Sequence, residues 1–240
     1  MKHPRVNRGL TNAGLVALLV LSLVRPTAAE DKSPSLRWEK DIQAFEAADR
    51  KSPPPQDAVL FIGSSGVRMW KTLAQDFLEH KVINRGFGGS QIADSVYYAD
   101  RIVIPYKPRL IVLRAGTNDI AAGKKPEQVA ADFRAFVEKV RAKLPQTRIV
   151  FMSLNPSPLR WANADKEQKA NRLIRDYIAA HQEENLVYID SFTPMLGPDG
   201  KPREELYAKD RLHNTPEGYK LWVSLVKPHL TGNDESRKAK

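Results

Sequence analysis

Ala58-Val-Leu-Phe-Ile-Gly-Ser-Ser-Gly66 joins an apolar run to a glycine break and a pair of serines. Its first five residues are apolar with no polar residue alternating, the pattern of a strand buried on both faces of a parallel sheet. Gly63 breaks the strand and two serines follow. Val67, Met69, Trp70 and Leu73 then recur at roughly helical spacing, which predicts a helix beyond the turn. The serines therefore stand on a tight strand-to-helix turn. In an open parallel sheet, ligands bind outside the carboxyl ends of the strands. A serine there is placed either to act as a nucleophile or simply to cap the helix, since serine is a favoured N-cap.

Working outward, the same unit recurs. Upstream, Leu36, Trp38, Ile42 and Phe45 form an apolar stripe among charges, an amphipathic helix ending near Arg50. Ser52-Pro-Pro-Pro55 is a stiff connector into the first strand. Downstream, Lys81–Asn84 reads as a second strand running into Arg85-Gly-Phe-Gly-Gly-Ser90, then a helix over about Gln91 to Arg101. Arg109–Leu113 is a third strand, ending at Ala115-Gly-Thr-Asn-Asp119. Pro126 to Leu144 is a helix with Val129, Phe133, Phe136, Val137 and Val140 on one face. Arg148–Met152, a loop through Trp161, a helix over about Ala164 to His181 and a strand Leu186–Asp190 follow. Ser191 to Asn214 is long and irregular. Thr215 then caps, and Pro216 opens, the last helix. The tail from Thr231 is polar. This order predicts a doubly wound parallel α/β sheet with right-handed crossovers.

Composition bounds the rest. A chain of 240 residues without internal repeats, 42% hydrophobic, suits one domain over about 58–230 with short extras. Lys2, His3, Arg5 and Arg8, an apolar run from Leu15 to Val24, and Thr27-Ala28-Ala29 predict a secretory signal over 1–29, cleaved near Ala29. The run is short for a membrane span. The expected protein is thus exported, to a periplasm or beyond the cell, without integral membrane association after cleavage. The formal charge is +10, of which the first 29 residues hold +4. The remaining excess is spread out and carries no aromatic-interleaved basic motif, so nucleic acid is not the expected partner. It suits an acidic polymer or a cell envelope instead. The absence of cysteine excludes disulfides, thiol nucleophiles and thiolate metal sites.

Four polar elements fall at carboxyl ends of strands or after the last one: Ser64-Ser65, the Gly86–Gly89 loop, Asn118, and Asp210 with His213. A serine hydroxyl needs a base to take its proton, histidine is the usual base, and a carboxylate fixes the histidine tautomer. Acyl transfer also needs donors for the oxyanion, and a glycine N–H and an asparagine amide are suitable. Asp119 reads as structural. Arg68, Arg114, Arg160 and Trp161 flank the same crevice, as substrate contacts or as packing and ion-pairing residues.

These blocks resemble the SGNH, or GDSL-type, serine hydrolase superfamily, and the layout its acetylhydrolase-like branch. Gly63-Ser64-Ser65 looks like the first block, which implies Ser65 rather than Ser64 as nucleophile. Arg85-Gly-Phe-Gly-Gly-Ser90 resembles the second and implies Gly89 as an oxyanion donor, beside the Ser65 N–H. Gly116-Thr-Asn-Asp119 is similar to the third and implies Asn118. Asp210-Arg-Leu-His213 matches the Asp-x-x-His block and implies Asp210 and His213. The chain departs from the pattern at Ser64, where many members carry aspartate. The resemblance implies a flavodoxin-like three-layer αβα sandwich with a five-stranded parallel sheet and no metal or cofactor. It implies an esterase acting on a small-molecule or glycan ester, with short acyl groups favoured because no long apolar insertion supplies a lipid lid. A lipid acylhydrolase or thioesterase, an acyltransferase, and a non-catalytic envelope or polysaccharide-binding protein are the alternatives.

Overall fold

Strand β1 (Val59–Gly63) is buried at every residue and lies inside a five-stranded sheet, hydrogen-bonded on one side to β2 (Val82–Gly86) and on the other to β3 (Leu110–Arg114). β4 (Arg148–Met152) and β5 (Leu186–Ile189) continue the sheet, giving the order β2-β1-β3-β4-β5, all parallel. This computed structural model describes residues 33–181, 183 and 185–230, with Met1 and His3. The expected leader otherwise, and the tail from 231, lie outside the described residues.

Alternation along β1 sorts two cores. Leu60 and Ile62 face one side and pack with Ile42 of α1 (Glu39–Lys51), Tyr98 of α4 (Ile92–Ile102), Phe133 of α6 (Pro126–Arg141) and Ile174 of α7 (Ala164–Ala180). Val59 and Phe61 face the other side, against Trp70, Phe77 and, from α8 (Pro216–Val226), Trp222 and Val226. The chain is therefore a three-layer αβα sandwich. β1 carries no polar side chain and β3 and β4 carry one only at an end, because helices cover both faces, whereas the edge strand β2 holds Asn84 and Arg85.

The first helix packs on this domain. Its Glu39 and Glu46 both receive the Arg101 guanidinium of α4, at 2.7 Å each. Asp49 accepts from Arg85 of β2 and from the Tyr106 hydroxyl. The described residues from Pro34 to Leu230 belong to one compact unit.

The helix expected after the serine turn is the main local difference. The chain instead makes two single turns, α2 (Ser65–Arg68) and α3 (Leu73–Asp76). Between them the Trp70 indole N–H and the Thr72 hydroxyl both donate to the Asp76 carboxylate, at 2.6 and 2.7 Å. Trp70 thereby turns inward onto Phe61, Tyr219 and Trp222, with ring centroids 5.3–5.7 Å away. The apolar spacing reflects this aromatic cluster, while Met69 points outward, 38% exposed. At the end of β3 the strand runs one residue further than expected and takes in Arg114, which is buried. Among the described residues no helix is long and apolar enough to cross a membrane.

Candidate active site

In the order 2-1-3-4-5 the winding reverses between β1 and β3, and a crevice opens there beyond the strand ends. Both strands end in turns that carry candidate residues. Gly63 leaves β1, Ser64 sits in the N-cap position, and Ser65 is the first helical residue of α2. The Ser64 hydroxyl makes no capping bond; its backbone does the holding, donating to the Arg114 carbonyl at 3.2 Å and accepting from the Val67 and Arg68 amides. From the other side, α8 braces the turn. The Tyr219 hydroxyl donates to the Gly66 carbonyl at 3.0 Å, and a Cβ on Gly66 would stand 2.8 Å from the Trp222 ring.

The loop before α8 brings in the remaining pair. Asp210 Oδ1 accepts the backbone N–H groups of Leu212 and His213, both at 3.0 Å, and its Oδ2 lies 2.6 Å from His213 Nδ1. These donors hold the Asp210 carboxyl well below its ordinary range, down to about 2, with the His213 amide the largest cause. An ionised carboxylate only accepts, so Nδ1 carries the imidazole proton and Nε2 is left as the acceptor. Nε2 is 2.9 Å from Ser65 Oγ. The structure therefore separates the two serines: Ser65, not Ser64, meets the histidine. The carboxylate is half exposed, and the histidine mostly covered. Ala208 donates to the His213 carbonyl, and Arg211 closes the turn in the left-handed region, φ +57°.

From β3 comes α5 (Thr117–Ala121), with Asn118 in its first turn. Asn118 Nδ2 donates to the Ser90 carbonyl at 3.0 Å and its Oδ1 accepts from Arg160 Nη1 at 2.9 Å. Ser64, Ser65, Gly66, Asn118 and His213 line one cleft. Its cavity volume is about 30 Å³, where one water fills about 10–15 Å³ on the same scale. That leaves room for two or three water-sized groups. Gly89 stands at φ +78° in the turn before Ser90, exposed, with Trp38 3.1 Å from where its Cβ would lie. It is beside the cleft and does not line it.

Of the four flanking residues, Arg114 and Arg160 line the cleft, whereas Arg68 and Trp161 do not. Arg114 is 5% exposed, sits 5.0 Å over the Trp222 ring, and is pushed down to about 10 by burial. Asp119 is fully buried, accepting from the Ile92 amide and from Lys124, so it ties α5 to the start of α4. Burial raises it to about 6.

Sequence reading passed over Glu167. It is 1% exposed behind the cleft, raised to about 7 by burial against the opposing charges of Arg114 and Arg160. The signal was available: Glu167, Ala170, Asn171, Ile174 and Ile178 fall on one buried helical stripe. Asn155 and Ser157, also in the cleft, left no such trace, because their loop is irregular.

With this geometry in place, comparison with known proteins is direct. The sequence pattern of the GDSL-like Lipase/Acylhydrolase family matches residues 55–221. Platelet-activating factor acetylhydrolase IB subunit alpha1 of Pongo abelii is 29% identical over 208 residues, covering 81% of this chain and 83% of that relative. The alpha2 subunit of Homo sapiens is 28% identical over 207 residues, with the same coverage. Among solved structures, a GDSL-like lipase from Bacteroides thetaiotaomicron VPI-5482 has the same fold, with a TM-score of 0.66 at 23% identity, over 79% of this chain and 96% of that one. A catalytic mutant of an acetylxylan esterase from Geobacillus stearothermophilus also shares it, with a TM-score of 0.57 at 15% identity, over 72% and 94%.

Proposed function

This chain belongs to the GDSL-like lipase/acylhydrolase family and is a carboxylic ester hydrolase, and we propose that it is an exported serine esterase removing short acyl groups, acetyl above all, from carbohydrate. One observation carries the mechanism: Ser65 Oγ, His213 Nε2, His213 Nδ1 and Asp210 Oδ2 form one hydrogen-bonded line. Ser65 Oγ attacks the ester carbonyl carbon as its proton passes to His213 Nε2. The carbonyl electron pair moves onto oxygen. Within the cleft that oxyanion meets the Ser65 N–H and the Asn118 amide, each such donor contributing about 2.7–4 kcal/mol; the Gly89 N–H, on the loop beside the cleft, is the third donor that the family resemblance implies. The first N–H groups of a helix have no partner within it, which keeps the Ser65 amide available. The intermediate collapses, the carbon–oxygen bond to the alcohol breaks, and His213 protonates the departing alkoxide. Water, deprotonated by His213, repeats the attack and frees the acid and Ser65.

The small cavity supports a short acyl group. The leader-like pattern over 1–29 supports export. Hydrolysis of nitrophenyl esters from acetyl to long-chain acyl, by the wild type and by Ser65→Ala, tests the reading. Turnover that falls steeply beyond acetyl and vanishes in the variant is expected. Turnover rising with chain length turns the assignment to lipids. No turnover on any ester leaves an acyltransferase or a polysaccharide-binding protein. N-terminal sequencing of the mature protein tests cleavage near Ala29.

A further inference from the structure

We infer that Arg160 is the positioning residue of the oxyanion hole, acting through the Asn118 carboxamide; the inference rests on Asn118 being an oxyanion donor. A carboxamide can sit either way round, and here both of its ends have a partner of fixed type. The Ser90 carbonyl only accepts and the Arg160 guanidinium only donates, so Nδ2 must face the first and Oδ1 the second. A single orientation survives. Among the described residues, the second N–H of Nδ2 then has no partner, on a residue that lines the cleft with Ser65.

The guanidinium also polarises the amide. A cationic donor on Oδ1 draws electron density from the nitrogen, so the remaining N–H becomes a stronger donor to a developing negative charge. Among the described residues, no carboxylate forms an ion pair with Arg160. The partly covered site keeps its field from being screened as it would be in water.

The backbone explains how Arg160 reaches across 42 residues of sequence. The 3₁₀ run Pro158–Asn163 is kinked at Arg160 itself, φ −116°, ψ 21°. The Arg160 amide is held by the Ser157 carbonyl at 3.1 Å. One residue earlier, the Leu159 amide donates to the Arg211 carbonyl at 3.0 Å, in the turn that carries His213. This short run therefore touches both the oxyanion side and the acid–base side of the site, and Arg160 sets their register.

A double-mutant cycle decides the matter, because Arg160 also lines the cleft and a direct substrate contact is the competing role. Asn118→Ala is expected to lower kcat/KM for nitrophenyl acetate by about 10²–10³-fold. Arg160→Met should lower it by about 10-fold or more, in kcat, with KM changed less than about twofold. In the Asn118→Ala background the same substitution should cost less than about threefold. Arg160→Lys, which keeps the charge but not the fork, should fall between, and serves the same cycle if the methionine variant does not fold. Additive losses, or a loss in KM alone, overturn the inference and leave the hydrolase reading intact. Full activity of Asn118→Ala overturns the oxyanion role of Asn118, and the inference with it.

Discussion

The carbonyl oxygen of Arg114 occupies the space where a side chain on Gly63 would begin: a Cβ there would stand 1.9 Å away. The same carbonyl accepts the Ser64 amide, so β1 and β3 close on each other at the point where the serine turn starts. Gly63 also sits at φ +151°, which side chains rarely adopt. Gly63→Ala is expected to destabilise the fold by about 3 kcal/mol or more, from overpacking plus backbone strain. For a chain of this size that lowers Tm by roughly 6–12 °C. An unchanged melting temperature would show that the strands can part there.

The two serines differ in what they touch, and so in what their loss does. A fluorophosphonate is expected to label the wild type at Ser65 only. Ser65→Ala should lose labelling and about 10⁴-fold or more of turnover. Ser64→Ala should keep both within about threefold, since its hydroxyl caps nothing and does not meet His213. Mass spectrometry of the labelled peptide, with label on Ser64, would reverse the assignment.

Asp210→Asn tests the carboxylate. A buried triad aspartate exchanged for asparagine drops turnover about 10⁴-fold in the familiar serine proteases. Asp210 is half exposed, so water already weakens its hold on the imidazolium. The expected loss is about 10²–10³-fold in kcat, measured on nitrophenyl acetate. Wild-type turnover would mean that the histidine needs no carboxylate partner.

Two buried acids give stability an uncommon pH slope. Burial raises Asp119 from 3.8 to about 6 and Glu167 from 4.5 to about 7. Between about pH 4 and 7 these two groups therefore bind more protons in the folded chain than in the unfolded one, and their contribution to stability falls as pH rises. The depressed carboxyls of Asp210, Glu39 and Glu46 act below that window. His80 and His229, lowered by burial, act in the opposite sense below pH 6.5. The informative quantity is therefore a difference: Tm of Glu167→Gln minus that of wild type should grow from pH 4.5 to pH 7.5. A constant difference would show that burial leaves the Glu167 carboxyl at its unfolded value.

The inner strands were legible because a strand covered on both faces has few polar residues to interrupt it, as in Val59–Ile62, while the edge strand β2 was read only as far as Asn84 and runs on to Gly86. The Ser64-Ser65 turn, Asn118 and the Asp210–His213 pair were legible because short local patterns carry them. The break after Arg68 was not, since it depends on Trp70 finding Phe61 and Trp222 across the sheet face. Nor was the bond from Arg160 to Asn118, which joins two loops through the sheet order and leaves no periodicity behind. Glu167 was legible in principle, as a charge on an apolar stripe, and its reading needed only that contradiction to be taken seriously.

An inner strand of the sheet, β1, is also the first of the five made. β1 emerges from the ribosome before either neighbour exists, and it must wait for β2 and then β3 to cover its edges. Ser65 waits longer still, for a histidine 148 residues downstream. On the proposed roles, a nascent chain stopped anywhere before residue 213 holds a nucleophile with no base. Esterase activity therefore appears late in synthesis, once the sheet that aligns the two residues is already assembled.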